Sequence, residues 1–338
     1  MPFIKLADCA SPCAFPHEIP ELWQKLALST GQADPVCCAP SWNLAFHSVF
    51  YPHHRIFYLH GMESLLLFRE EHDPVNGPFL VPLDDSWLFG QPLLGFYAPE
   101  LLGEALELLT RAYNGHLPTL VLSGVRLHRA ETVKIYAGYS RIYNFRRYNI
   151  NEQCSASLTG GVDGWLSRRS ANHRAKLRKA SRKAKDLGVY FERFKPRTIG
   201  EALDLYERML NIERKSWKGV GRCGMAESPS REFYAALIKR YAELGMAHII
   251  FAVRDGRDLG FIFGGAAGGI YRGQQFSYIE EAARFSIGNL LQLEKILWLC
   301  ELGFLRYDMG PITGPRMEYK RHWTEKIHEA QTWVLHRK

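Results

Sequence analysis

Apolar residues recur at helical spacing in some stretches of the chain and alternate at strand spacing in others, and these two periods divide it into elements. In the first half, residues 20–29 and 41–49 read as short helices. Segments 55–60 and 64–69 flank a turn at His60 and Gly61 and predict a hairpin. Residues 78–83 and 87–89 are further strand candidates, and 117–123 reads as a buried strand. The clearest helix of this half is 99–113, which sets Leu101, Leu102, Ala105, Leu108, Leu109 and Ala112 on one side.

The second half is more regular. Residues 189–194 predict a strand. Thr198 and Glu201 have capping-box spacing and open a helix to about residue 215, with Leu203, Tyr206, Leu210 and Ile212 inward. Ser228 reads as an N-cap with Pro229 at the first helical position, and that helix stops before Gly245. Three strands follow at 246–254, 259–267 and 270–278, joined by Asp255-Gly256 and Gly268-Gly269, both suited to tight hairpins. A helix from about 288 to 302, a strand at 304–308, a short helix near 316–323 and a strand at 329–335 complete the order. Residues 189–338 therefore read β-α-α-β-β-β-α-β-α-β.

Composition narrows the class. The chain has 338 residues, 46% of them hydrophobic and 13% aromatic, which disfavours disorder and suffices for one large or two ordinary domains. No apolar run approaches the ~18–20 residues of a membrane span, and the first residues lack a signal-peptide pattern, so a cytoplasmic protein is the expectation. Seven cysteines occur without a Cys-x-x-Cys pair; reduced thiols are expected, with Cys9 and Cys13 at most half of a metal site, and no metal is required.

Charge changes the picture more. The formal net charge is +8, and residues 168–185 alone hold nine Lys or Arg and no acid. Their spacing is helical: Leu177, Ala180, Ala184 and Leu187 make one apolar stripe, Arg174, Arg178 and Arg182 lie on another face, and Gly188 is a natural stop. Such a segment is either a solvated face or a surface for the phosphates of a cofactor, substrate or RNA.

Several strings, taken in order, carry a resemblance. RAKLRKASRKAKDLGV, NIERKSWKGVG, the three hairpin strands, RFSIGNLLQLEKI, YDMGP and EYKRHW resemble landmarks of the CelD-like branch of the GNAT acyltransferase superfamily, over roughly residues 160–335. The first half is compatible with the degenerate GNAT-like domain that precedes the second in this branch and in the related Fem-type transferases. The resemblance implies an α/β (α+β) fold of tandem GNAT-like domains, each a mixed, mostly antiparallel sheet flanked by helices. The expected parts are residues 1–155, a basic linking helix at 160–188, and an acyltransferase domain at 189–338.

The resemblance also implies a reaction: transfer of an acyl group from acyl-CoA, acetyl or longer, to an amine or hydroxyl acceptor. Phosphates suit the N–H groups of a helix start, and residues 284–289 sit where that cradle belongs. Arg284, Ser286, Ile287, Gly288 and Asn289 are the donor-binding candidates, although Arg284 to Gly288 is one residue longer than the superfamily pattern. Glu280 is the candidate base, with strand alternation placing it on the face of Tyr278 and Glu281 on the other. Asp308 either orients the acceptor or anchors the turn after its strand. Arg174, Arg178, Trp217, Lys218, Tyr278 and Lys320 are candidates for substrate contact, with core packing as the alternative for Trp217. Tyr319 and Trp323 present the same choice. His248 is expected to be packed, and His173 to meet phosphate. The run 264–269 reads as strand and turn, its small side chains making room for a ligand. Two other readings keep the fold. One is a Fem-type transferase using aminoacyl-tRNA held by the basic helix, and the other is a non-catalytic polyanion-binding module.

Overall fold

A computed structural model describes residues 15–16, 18–75 and 77–338. The chain forms two compact units, one running to Glu152 and including His328–Lys338, the other Gln153–Ile327.

The first unit contains α1 (Glu18–Ser29), α2 (Pro35–Cys38), α3 (Pro40–Phe50), β1 (Ile56–Gly61), β2 (Ser64–Asp73), β3 (Gly77–Val81), β4 (Leu93–Gly95), α4 (Ala98–Ala112), β5 (Thr119–Val125) and α5 (Ala130–Tyr139). The strand β6 (Tyr143–Ser157) begins in it. Its strands β1 and β2 are apolar at consecutive positions because both faces of the sheet are covered. Phe57, Leu59, Leu66 and Phe68 pack with Leu101, Leu102, Ala105 and Leu109 of α4. The intervening Tyr58, Leu65 and Leu67 pack with Ile19, Trp23 and Leu26 of α1. The expected strand at 87–89 is absent. Asp84, buried, instead accepts hydrogen bonds from Trp87 N (2.9 Å) and Trp42 Nε1 (3.0 Å), which holds this aromatic segment as a loop against α3. Burial raises the Asp84 carboxyl to about 6.

The second unit contains α6 (Gly161–Ser167), α7 (Ala171–Asp186), β7 (Tyr190–Phe194), α8 (Ile199–Glu213), α9 (Trp217–Val220), α10 (Ser230–Glu243), β8 (Ala247–Arg254), β9 (Arg257–Ala267), β10 (Ile270–Tyr278), α11 (Ile287–Glu301) and β11 (Arg306–Pro311). The last strand, β12 (Lys326–Arg337), begins here. The sheet order in this unit is β6-β11-β10-β9-β8-β7, and every pair is antiparallel except β10 with β11. This is the mixed, mostly antiparallel architecture expected. Thr198 and Glu201 form the capping box, and both hairpin turns place their two central residues at positive φ (Asp255 +50°, Gly256 +71°, Gly268 +57°, Gly269 +75°).

Several expectations shift. Pro229, not Ser228, occupies the N-cap of α10. Strand β10 ends at Tyr278, and Glu280–Phe285 is a 3₁₀ turn, so strand alternation does not extend to Glu280 and Glu281. The small residues 264 and 265 make room for protein rather than ligand: a Cβ on Gly265 would lie 2.5 Å from the Tyr241 ring, and one on Gly264 2.2 Å from Arg272 O. Residues 328–338, grouped with the second half on patterning, pair through β12 with β5, Trp333 opposite Leu122 and Leu335 opposite Leu120. No helix among the described residues is long and apolar enough to cross a membrane. Cys37, Cys38 and Cys154 are buried and Cys223 is exposed, while Cys9 and Cys13 lie outside the described residues.

Candidate functional site

Strands β10 and β11 pair in parallel over only three residues, Ile270–Arg272 with 306–308, whereas β10 continues along β9 to Tyr278. Past Arg272 the two strands part, and a cavity of about 940 Å³ opens beside β10. Residues 273–278 of β10 form one wall, Trp217, Lys218 and Val220 of α9 another, and Ser286 to Asn289 at the start of α11 a third. Tyr307 and Met309 reach in from β11, and Tyr319 and Lys320 from the 3₁₀ turn Pro315–His322.

The α11 terminus is built for exposed donors. Ser286 takes the left-handed conformation at φ +59° and makes no side-chain cap, so the first-turn N–H groups of Ile287, Gly288 and Asn289 have no helical acceptor. Gly288 is required by packing: a Cβ there would lie 2.9 Å from Tyr278 Cε1 and 3.4 Å from Phe276 Cε2. These rings therefore hold the helix start close to β10. Arg284 is exposed, its side chain over the Phe285 ring at 4.8 Å, and is not among the residues lining the cavity.

Two lysines line the cavity, Lys218 from α9 and Lys320 from the 3₁₀ turn. Lys218 Nζ donates to Gln275 Oε1 (2.8 Å) and Phe276 O (2.9 Å), and stands 4.0 Å from Glu213 Oε1. Burial lowers its pKa. Gln275 Nε2 donates in turn to the Tyr234 hydroxyl at 2.7 Å, which fixes the amide. Lys320, 8% exposed, donates from Nζ to Pro311 O at 2.5 Å. Burial, with smaller repulsion from Arg272 and Lys218, pushes its ammonium down to about 7. An amine near half-neutral at neutral pH inside a cleft is a group fitted for proton transfer.

The candidates divide accordingly. Trp217, Lys218, Tyr278, Glu280, Ser286, Ile287, Gly288, Asn289 and Lys320 all line the one cavity, Glu280 as an exposed group in its 3₁₀ turn. Trp217 is 41% exposed with the Arg316 guanidinium over its ring, so it is no core anchor. Asp308 departs from the set: alternation in β11 sends Tyr307 and Met309 to the cavity, while Asp308 is buried and pairs with Arg306 Nε at 2.5 Å. His248 is buried, its Nδ1 near Met246 O, and burial pushes it down to about 3.

The basic helix is α7, capped by the Ser170 hydroxyl, which accepts from His173 N at 3.2 Å. It starts later than the charge run. Arg168 and Arg169 precede it and both pair with Glu325. Leu177 and Ala184 bury the apolar stripe, Leu177 in the core with Ile296 and Leu299 of α11. A second cavity of about 510 Å³ lies along α7, but its lining differs from expectation. Lys176, Lys179, Lys183 and His173 face it, not Arg174 or Arg178. Arg174 instead donates to Arg169 O (2.6 Å) and Leu166 O (3.3 Å) at the end of α6, and Arg178 is exposed.

Sequence reasoning missed Glu213 and the lysine face. Glu213 sits on the buried side of α8 with Tyr206 and Leu210, and a carboxylate at a stripe position was its signal. The lysines at i, i+3 and i+7 run alongside the apolar stripe of Leu177, Ala180 and Ala184, and that shared spacing was their signal.

Residues 171–321 match the family described as Acetyltransferase (GNAT) domain. Among solved structures, FemX is similar in fold, with 10% identity, a TM-score of 0.67, and coverage of 94% of this chain and 96% of that one. A conserved protein of unknown function from Bacteroides thetaiotaomicron VPI-5482 gives 12% identity and a TM-score of 0.66, covering 99% of this chain and 100% of its own. L-PGS from Bacillus licheniformis gives 16% identity and 0.54, over 88% and 92%. No curated protein matches the chain by sequence. With its parted parallel strands, helix-start cavity and matching domain at 171–321, the second unit is similar to the acetyltransferase domain of the GNAT family.

Proposed function

We propose that the second unit transfers an acyl group from an acyl-CoA thioester to an amine or hydroxyl acceptor. The observation that carries this reading is the wedge between β10 and β11, headed by the uncapped start of α11. An extended thioester arm fits beside the free side of β10, with the donor's pyrophosphate at the N–H groups of residues 287–289. The acceptor nitrogen or oxygen attacks the carbonyl carbon, the C–S bond breaks, and its electron pair leaves on sulfur. The proton lost by the acceptor goes to neutral Lys320 inside the cleft, and Glu280 at the exposed turn relays it to solvent. Lys218, held by Gln275 and Phe276, supplies positive charge beside the developing oxyanion.

A second reading changes the donor. The lysine face of α7 favours a larger polyanion, and the Fem-type resemblance implies aminoacyl-tRNA as that donor. Calorimetry with acetyl-CoA, a long-chain acyl-CoA and a charged tRNA separates the two, followed by thiol release or deacylation with a panel of amines. Binding and turnover of a thioester support the first reading. Turnover of the charged tRNA alone replaces it with the second, and binding without turnover of either leaves a binding module.

A further inference from the structure

We infer that Lys176, Lys179 and Lys183 form a second phosphate subsite, separate from the α11 start, that takes a phosphate of the donor's nucleotide portion. This rests on the reading that a nucleotide-bearing donor enters the cleft. At about 100° per residue, Lys176, Lys179 and Lys183 share one side of α7, and Arg174, Arg178 and Arg182 lie across from it. The lysine side is the one turned to the second cavity, and among the described residues lining that cavity there is no carboxylate. Three ammonium groups along one wall, with no acid to neutralise them, make a local positive field that an anion relieves.

The subsite is also continuous with the reaction cleft. Ser286, Asn289 and Tyr319 line both cavities, so one extended ligand can touch the two at once. Lys183 Nζ donates to Arg284 O at 3.2 Å, which ties the lysine face to the turn that presents the α11 start. A coenzyme A ester whose pyrophosphate meets residues 287–289 carries its 3′-phosphate toward Lys176 and Lys179. A tRNA has no pyrophosphate and presents a backbone phosphate near its acceptor end to the same lysines.

The test is equilibrium binding of coenzyme A and 3′-dephospho-coenzyme A, with the same measurement on a tRNA acceptor-stem minihelix. The proteins are the wild type, Lys176→Ala/Lys179→Ala and Lys176→Arg/Lys179→Arg. The wild type is expected to prefer coenzyme A by about tenfold or more, the size of a charge-assisted contact. The alanine pair binds both forms alike, and the arginine pair keeps the preference. If the minihelix is the better ligand, the alanine pair weakens it and flattens its salt dependence. Equal binding of the two coenzyme forms by the wild type, with minihelix affinity unchanged in the alanine pair, overturns the subsite and leaves thioester transfer standing. Failure of all three probes to bind overturns both. Both substituted residues are exposed, and unchanged thermal unfolding verifies that the variants are folded.

Discussion

Lys218 bridges the short helix α9 to strand β10 by donating to the main-chain oxygen of Phe276 at 2.9 Å, with the fully buried Glu213 carboxylate 4.0 Å behind it. Glu213 Oε1 also accepts from Met225 N at 3.1 Å, so the carboxylate organises the segment that follows α9. Replacing Lys218 by Met leaves a buried carboxylate without its counter-charge. Chemical denaturation is expected to show a loss of about 3 kcal/mol. Glu213→Gln in the same chain recovers part of it, since the double change removes both charges. A Lys218→Met protein as stable as the wild type rules out the pairing.

In the proposed transfer, Lys320 is the group that sets the pH dependence. Burial lowers its pKa to about 7, so its neutral, proton-accepting form grows as pH rises through that value. For any acceptor the protein uses, kcat/KM is expected to climb with pH and level off above an inflection near 7. Lys320→Arg keeps the charge but cannot titrate there, and should lower the rate about a hundredfold and abolish that inflection. A surviving inflection in the arginine variant assigns it to another group.

Gly288 tests how closely α11 must approach β10. The methyl of Gly288→Ala meets the Tyr278 ring at 2.9 Å, so the helix start moves or the ring does. Despite alanine's better helix propensity, the change is expected to cost about 1–3 kcal/mol of stability and to weaken donor binding. Adding Tyr278→Ala clears the clash and restores part of the stability. A stabilised Gly288→Ala protein means that no such constraint exists.

His248 sets part of the acid limit. Its pKa is held near 3 by burial, with smaller repulsion from Lys295 and Lys195, against 6.5 when unfolded. Between those values the unfolded chain binds a proton that the native one does not, so stability is lost as pH falls from 6.5 toward 3. The slope from this one group approaches about 1.4 kcal/mol per pH unit. His248→Phe removes that component, and a denaturation series from pH 7 to 4 should show the shallower slope. Identical slopes place the acid sensitivity elsewhere.

The sequence made the second unit's hairpins and helices legible because each carries its own punctuation. Asp255-Gly256 and Gly268-Gly269 take the positive φ their turns need, and Thr198 with Glu201 closes its box as spaced. Strand β6 went unseen because its middle, around Arg146 to Glu152, is largely exposed and polar, with no alternation to read. In the site, Ser286 to Asn289, Lys218, Tyr278 and Lys320 were found from local strings, and they share one cavity. Asp308 and the arginine face of α7, named with them, do not line it, because which side of a strand or helix meets a cleft is decided by packing partners distant in sequence. The lysine stripe faces the second cavity because Leu177 and Ala184, which pack beside it, fix the rotation of the helix.

The return of β12 to β5 has a consequence for how this protein can be made and divided. A nascent or truncated chain that stops before residue 328 carries the whole body of the first unit but lacks the strand that β5 pairs with from Leu120 to Val125. Until that strand arrives, β5 offers an open hydrogen-bonding edge beside apolar Leu120 and Leu122, the kind of edge that recruits foreign strands. The first unit is thus finished last, after the unit it precedes in the chain, and an N-terminal fragment with a closed β5 edge requires residues 328–338 to be supplied in trans or grafted on.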